Sequence, residues 1–97
     1  MPSWIRSRSA AALQHYADKS GLKLDELSAN PSEHAAAAAA EVKVATGGAA
    51  PYGDDVMEDA LGRVRGAHPA GLKSQLERAL DDALFAHEHR MAALRRR

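Results

Sequence analysis

Cysteine is absent from the chain, and its absence excludes several kinds of chemistry. None of the 97 residues is cysteine, so the sequence offers no disulfide bond and no thiolate nucleophile. It also lacks the ligand on which most structural zinc sites depend. The sequence therefore predicts neither thiol catalysis nor a zinc-stabilised fold.

The chain also has no net charge and no long apolar run. Its 13 basic and 13 acidic residues cancel, so no overall field attracts the protein to DNA, RNA or an anionic membrane. A helix needs about 20 consecutive apolar residues to cross a bilayer, and no run in this sequence approaches that length. We therefore expect no transmembrane segment, and any nucleic-acid binding must come from a local basic patch.

Large apolar side chains are scarce as well. Hydrophobic residues make up 45% of the chain, but half of them are alanine and only 4% of the residues are aromatic. A chain of this length buries only about two thirds of its unfolded surface. The length and composition together predict a single domain, residues 1–97, with a small core.

What the sequence does contain is a series of helix signals. Apolar residues at helical spacing, bounded by caps and glycines, predict four helices. Their approximate ranges are 3–19, 31–46, 54–65 and 69–95, with a flexible connection over 47–53. The segment 22–27 fits either a short helix or a packed loop. The expected fold is all-α, a small bundle of three to four helices with a long C-terminal helix.

The C-terminal helix is too long for the other helices to cover. At 1.5 Å per residue it is a rod of about 40 Å. One apolar stripe follows it, and Phe85 lies about half a turn away from that stripe. The stripe consists of Leu72, Leu76, Leu80, Ala83, His87, Met91 and Leu94. We therefore predict that Phe85 faces away from the core and is available to a partner.

Basic residues are concentrated at the two ends of the chain. Arg6 and Arg8 lie near Trp4, and three arginines, Arg95 to Arg97, end the sequence. Such clusters can bind phosphates or an acidic protein face, but arginines at a helix C-terminus also interact favourably with the helix dipole. Residue types alone do not separate these roles.

The N-terminal stretch also bears on where the protein resides. Residues 1–17 contain arginine and serine but no acidic residue, a composition shared by organelle transit peptides. The same residues fit the first helix of the bundle, and we interpret them as a retained part of it. The expected location is the cytoplasm, with the mitochondrial matrix as the alternative.

Histidines and acidic residues do not form a recognisable metal site in the sequence. His87 and His89 are two residues apart on a helix and therefore point in different directions. The His-Glu-x-x-His zinc pattern fails because position 91 is methionine. We predict no metal and no cofactor.

Catalytic patterns are missing too. Adjacent carboxylates at 54–55, 58–59 and 81–82 can serve as acid and base, but helix-dipole compensation and solvation explain them more simply. The pair Gly47-Gly48 is not followed by the lysine and hydroxyl residue of a phosphate-binding loop. We therefore expect that the protein is not an enzyme.

The leading functional hypothesis is a non-enzymatic protein–protein interaction. A small core, an overlong helix and exposed aromatics are typical of an accessory subunit of a larger assembly, or of a small modulator or inhibitor that docks on a protein target. A homo-oligomer is another form that such an interaction can take. The predicted contact residues are Phe85, Arg78, His89, Arg95, Arg96 and Arg97 on the last helix, with Trp4, Arg6 and Arg8 on the first.

The alternative hypothesis is a small DNA-associated regulator. The first helix, Gly21 and the leucine-rich segment after it resemble a helix-turn-helix unit. Arg6, Arg8 and the terminal arginines would then contact phosphates. Against this, the helix that follows presents mainly alanine, with Lys43 as its only strong cation.

Overall fold

The protein is built from α-helices. The computed structural model describes residues 2–96, apart from the side chain of Pro69. Within them there is no β-strand, and no helix is both long enough and apolar enough to cross a membrane. The helices are α1 (Ser3–Ser20), α2 (Leu24–Ala29), α3 (Pro31–Ala45), α4 (Asp54–Gly62) and α5 (Leu72–Arg95), and a 3₁₀ turn, Pro69–Gly71, precedes α5. The predicted all-α class and the long C-terminal helix are confirmed.

Some element boundaries differ from the predicted ranges. The segment 22–27, which fits either a short helix or a packed loop, contributes to the short helix α2, so the described residues contain α2 besides the four helices of the bundle. Helix α4 stops at Gly62 because residues 63–66 form a turn that ends at Gly66, whose φ is 74°. Helix α5 begins at Leu72 because the residues from Pro69 to Gly71 form a 3₁₀ turn.

The end of α1 shows how local sequence positions these elements. Gly21 adopts the left-handed conformation, with φ of 68°, which glycine reaches without steric cost. Its N–H donates to the Asp18 carbonyl (3.2 Å), and the Leu22 N–H donates to the Ala17 carbonyl (3.0 Å). This is a Schellman cap, and the partly buried Leu22 packs against the core beside it.

Four helices form the bundle around a small core. Helices α1 and α4 each pack against both α3 and α5, and α2 lies against α4, α1 and α3. The predicted apolar faces of α1 and α4 are buried. The largest fully buried apolar side chains in the described residues are Leu13, Leu27, Val42, Met57, Leu61, Leu76 and Leu80.

Two polar contacts tie α1 to α3. The Tyr16 hydroxyl and His34 Nδ1 are 3.0 Å apart and share a hydrogen bond, and the Lys19 ammonium pairs with the Glu41 carboxylate. Because Tyr16 and Lys19 both lie in the second half of α1, these contacts fix the end of that helix against α3.

The connection over 47–53, which the sequence predicts to be flexible, is anchored to the bundle. The buried Thr46 hydroxyl donates to the Val42 carbonyl (2.9 Å) and accepts from the Ala50 N–H (3.1 Å). Near the end of the connection, the side chain of Tyr52 is only 5% exposed. This segment therefore packs as part of the domain.

Candidate interaction surface

Arg6, one of the predicted contact residues, is engaged within the molecule. Its Nη1–H donates to Asp81 Oδ2 (2.8 Å), and its Nε lies 3.4 Å from Glu77 Oε2. The hydrogen bond with Asp81 is the main cause that raises the pKa of Arg6 above its ordinary value. Arg6 therefore holds α1 against α5, and we remove it from the set of free contact residues.

Tyr52 lies close to this cluster. Burial, together with the negative charge of Asp81, raises the pKa of the Tyr52 phenol to about 12, while Arg6 opposes the shift to a smaller extent. The folded protein thus holds the Tyr52 proton more tightly than an unfolded chain does, in which the pKa is about 10.

This difference predicts a loss of stability in strong base. The contribution of Tyr52 is complete below pH 10 and is lost as pH rises towards 12, because the unfolded chain releases its proton first. Phenylalanine has no ionisable proton. Between pH 10 and 12 we therefore expect the free energy of unfolding to fall less in Tyr52→Phe than in the wild type, by on the order of 1–2 kcal/mol. Urea titrations at intervals from pH 9 to 12 measure it. Parallel pH profiles for the two proteins would contradict the assignment.

The C-terminal part of α5 extends beyond the core. Ala79, Leu80 and Ala83 are buried, whereas every described residue from 84 to 96 is at least partly exposed. We call residues 84–96 the α5 overhang. The predicted apolar stripe continues along it, but His87 and Met91 are only half-buried and Leu94 is 52% exposed. The C-terminal helix is thus long, as predicted, and its last three turns are covered only in part.

Phe85 lies on the outer face of the overhang, as predicted. Its side chain is 70% exposed, and its ring stacks on that of His89, with centroids 5.6 Å apart and an interplanar angle of 21°. Arg78, two turns earlier, is also exposed, at 3.8 Å from Asp82. We call the surface formed by Arg78, Phe85, His89 and Arg96 the outer face.

A groove lies beneath the overhang. Its volume is about 1110 Å³, more than the 300–1,000 Å³ or so of typical small-molecule sites. The start of α3, helix α4 and the overhang form its walls. The lining residues are Pro31, Asp55, Glu58, Asp59, Gly62, Arg63, Phe85, Ala86, His87, His89, Arg90, Met91 and Ala93. The groove is an open surface feature rather than an enclosed cavity.

The two walls of the groove differ in charge. On the α4 wall, Asp59 is held by Arg63 through contacts of 2.9 and 3.3 Å, while Asp55 and Glu58 are exposed. The overhang contributes Arg90, and the exposed Arg95 and Arg96 follow at its end. In the sequence, the carboxylates of α4 are explained by helix-dipole compensation, and their spacing does not indicate that they line a groove.

The aromatic residue of α1 forms a second exposed patch. Trp4 is exposed, and the guanidinium carbon of Arg8 lies 5.2 Å from its ring centroid, within the range of a cation–π contact. The Arg6–Asp81 bond places this end of α1 beside α5, one turn before Phe85. Trp4 and Arg8 thus lie at the end of the bundle where the overhang starts. Arg97 lies outside the described residues.

Comparison with known proteins assigns no family. No family model matches the chain, and no curated protein or solved structure matches it significantly. The surface geometry is therefore the basis on which a function can be proposed.

Proposed function

We propose that the protein is a non-enzymatic interaction protein that docks on a protein target through the outer face of the α5 overhang. It acts either as an accessory subunit of a larger assembly or as a small modulator or inhibitor of its target. The observation that carries this proposal is Phe85, a large aromatic side chain left 70% exposed on a rigid helix.

Phe85 has the properties of an interface anchor. A few residues dominate most protein interfaces, and they are commonly aromatic or arginine side chains. Stacking on His89 already restricts the Phe85 ring, so less conformational entropy is lost when a partner covers it. Arg78 lies two turns before the ring and Arg96 about three turns after it on the same side of the helix, and their positive charge favours a target that carries carboxylates at the rim of its site.

Replacement of Phe85 by Ala should separate binding from folding. Because the side chain lies outside the core, we expect the melting temperature to change by less than about 2 °C. Loss of an aromatic anchor typically costs 2 kcal/mol or more, so affinity for the target should fall at least about 30-fold. Thermal unfolding and quantitative co-purification from the native host, after crosslinking in the cell, measure the two effects.

Val44→Ala is the matched control. Val44 is 81% exposed on α3, so the control also shortens an exposed apolar side chain. A partner that is lost with Phe85→Ala and retained with Val44→Ala supports the proposal. Equal recovery with both variants would reject Phe85 as an anchor, and a large fall in melting temperature would assign it to the fold.

The DNA-associated alternative has weaker support. Arg6 is engaged with Asp81 and Glu77, and Lys43 is the one lysine or arginine among the exposed positions of α3, which otherwise include Ala36, Ala37 and Ala40. Binding to duplex DNA with a steep dependence on salt would favour this alternative.

A further inference from the structure

The inner face of the overhang continues the apolar stripe of α5 without a matching helix to cover it. Ala83 ends the buried part of the stripe, and Met91 and Leu94 follow it along the same side of the helix. Met91 is half-buried and Leu94 is half-exposed. Met91 lines the groove of about 1110 Å³, and Leu94 lies about one turn further along the same side of the helix, so a further helix in the groove could cover both side chains.

The charges indicate what kind of helix fits. Asp55 and Glu58 make one wall acidic, and both are exposed. An occupant must therefore present apolar side chains to Met91 and Leu94 and positive charge to the α4 wall. A helix with both properties is present in the chain itself, because the overhang combines Met91 and Leu94 with arginines at positions 90 and 95.

The geometry points to a second copy of this chain as the occupant. In a two-fold arrangement, each overhang lies in the groove of the other copy, where its arginines face Asp55 and Glu58 of that copy. Such an interface is self-complementary, as closed dimers require. This dimer goes beyond the proposed function. Arg78 and Arg96 of the outer face lie outside the groove and stay exposed on each copy, whereas the second copy contacts the groove side of Phe85 and His89.

Charge reversal tests the arrangement on the full-length protein. We expect the wild type to have twice the monomer mass of 10.3 kDa in light scattering, and to dissociate more readily as salt increases. The acid-reversed variant, Asp55→Arg with Glu58→Arg, and the base-reversed variant, Arg90→Glu with Arg95→Glu, should each raise the dissociation constant of the dimer at least tenfold.

Mixing the two variants is the decisive step. In the mixed dimer, the acid-reversed copy presents its positively charged α4 wall to the negatively charged overhang of the base-reversed copy. The second contact pairs the wild-type α4 wall of the base-reversed copy with the wild-type overhang of the acid-reversed copy. We therefore expect the equimolar mixture to recover the dimer mass, which a misfolded variant cannot do. Circular dichroism of each variant checks its helix content.

Lys43→Glu with Lys73→Glu is the matched control, since it changes the net charge as much as base reversal does. Both lysines are exposed and lie outside the groove, so this control should remain dimeric. A wild type that stays monomeric at all concentrations would overturn the proposal. The proposal would also be overturned by a dimer that survives both charge reversals, or by an equimolar mixture that stays monomeric. The binding of a protein target by Phe85 is measured separately, with Phe85→Ala, which leaves the charges of the groove unchanged.

Discussion

Replacement of Leu80 by Ala is expected to lower the free energy of unfolding by about 3 kcal/mol. Leu80 is fully buried on α5, the helix that packs against both α1 and α4. The truncation removes apolar contacts and leaves a cavity that the packed helices fill only in part. A domain of this size typically has 5–15 kcal/mol of stability, so the melting temperature should fall by more than about 10 °C. Urea and thermal unfolding followed by circular dichroism measure both quantities.

Leu94→Ala is the matched control for this substitution. It makes the same change on the same helix, but Leu94 is 52% exposed on the overhang. Measured on dilute monomer, it should cost less than about 1 kcal/mol. Similar losses for the two variants would mean that the overhang belongs to the core, which would contradict its proposed role as a docking element.

The helix faces could be predicted from the sequence because they depend on local spacing alone. Leu13 and Tyr16 on α1, and Met57 and Leu61 on α4, recur at the helical period, and all four are buried. The outward direction of Phe85 followed from the same argument, since half a turn of helix separates it from the stripe of α5. Periodicity thus determined both what the core contains and what the overhang exposes.

The contacts between distant residues could not be predicted in this way. Arg6 and Asp81 are 75 positions apart, and the sequence around Arg6 does not distinguish an internal ion pair from a free basic patch. The same reasoning explains α2, whose six residues carry too little periodicity to identify a helix. Tertiary packing stabilises it, since Leu27 is fully buried.

For the alanine-rich helix α3, the sequence predicts the helix itself but not its packing. Its sequence indicates a stable helix, because alanine has the highest helix propensity, but alanine content alone does not distinguish a spacer helix from a contact face. In the structure, Ala35, Ala38 and Ala39 are buried, and α3 packs against α1 and α4. Small side chains on that side allow these helices to approach closely, whereas Ala36 and Ala37 remain exposed.

Enlarging the contact side of α3 is therefore expected to disrupt the bundle. Ala38 is fully buried, and Ala38→Leu adds three carbon atoms where the neighbouring helices leave little room, which should cost about 2–3 kcal/mol. Ala37→Leu makes the same change at an exposed neighbour and should alter stability by less than about 0.5 kcal/mol. Urea unfolding of both variants measures the difference. If Ala38→Leu were neutral or stabilising, α3 would be a loosely packed spacer, and the alanines would serve helix propensity alone.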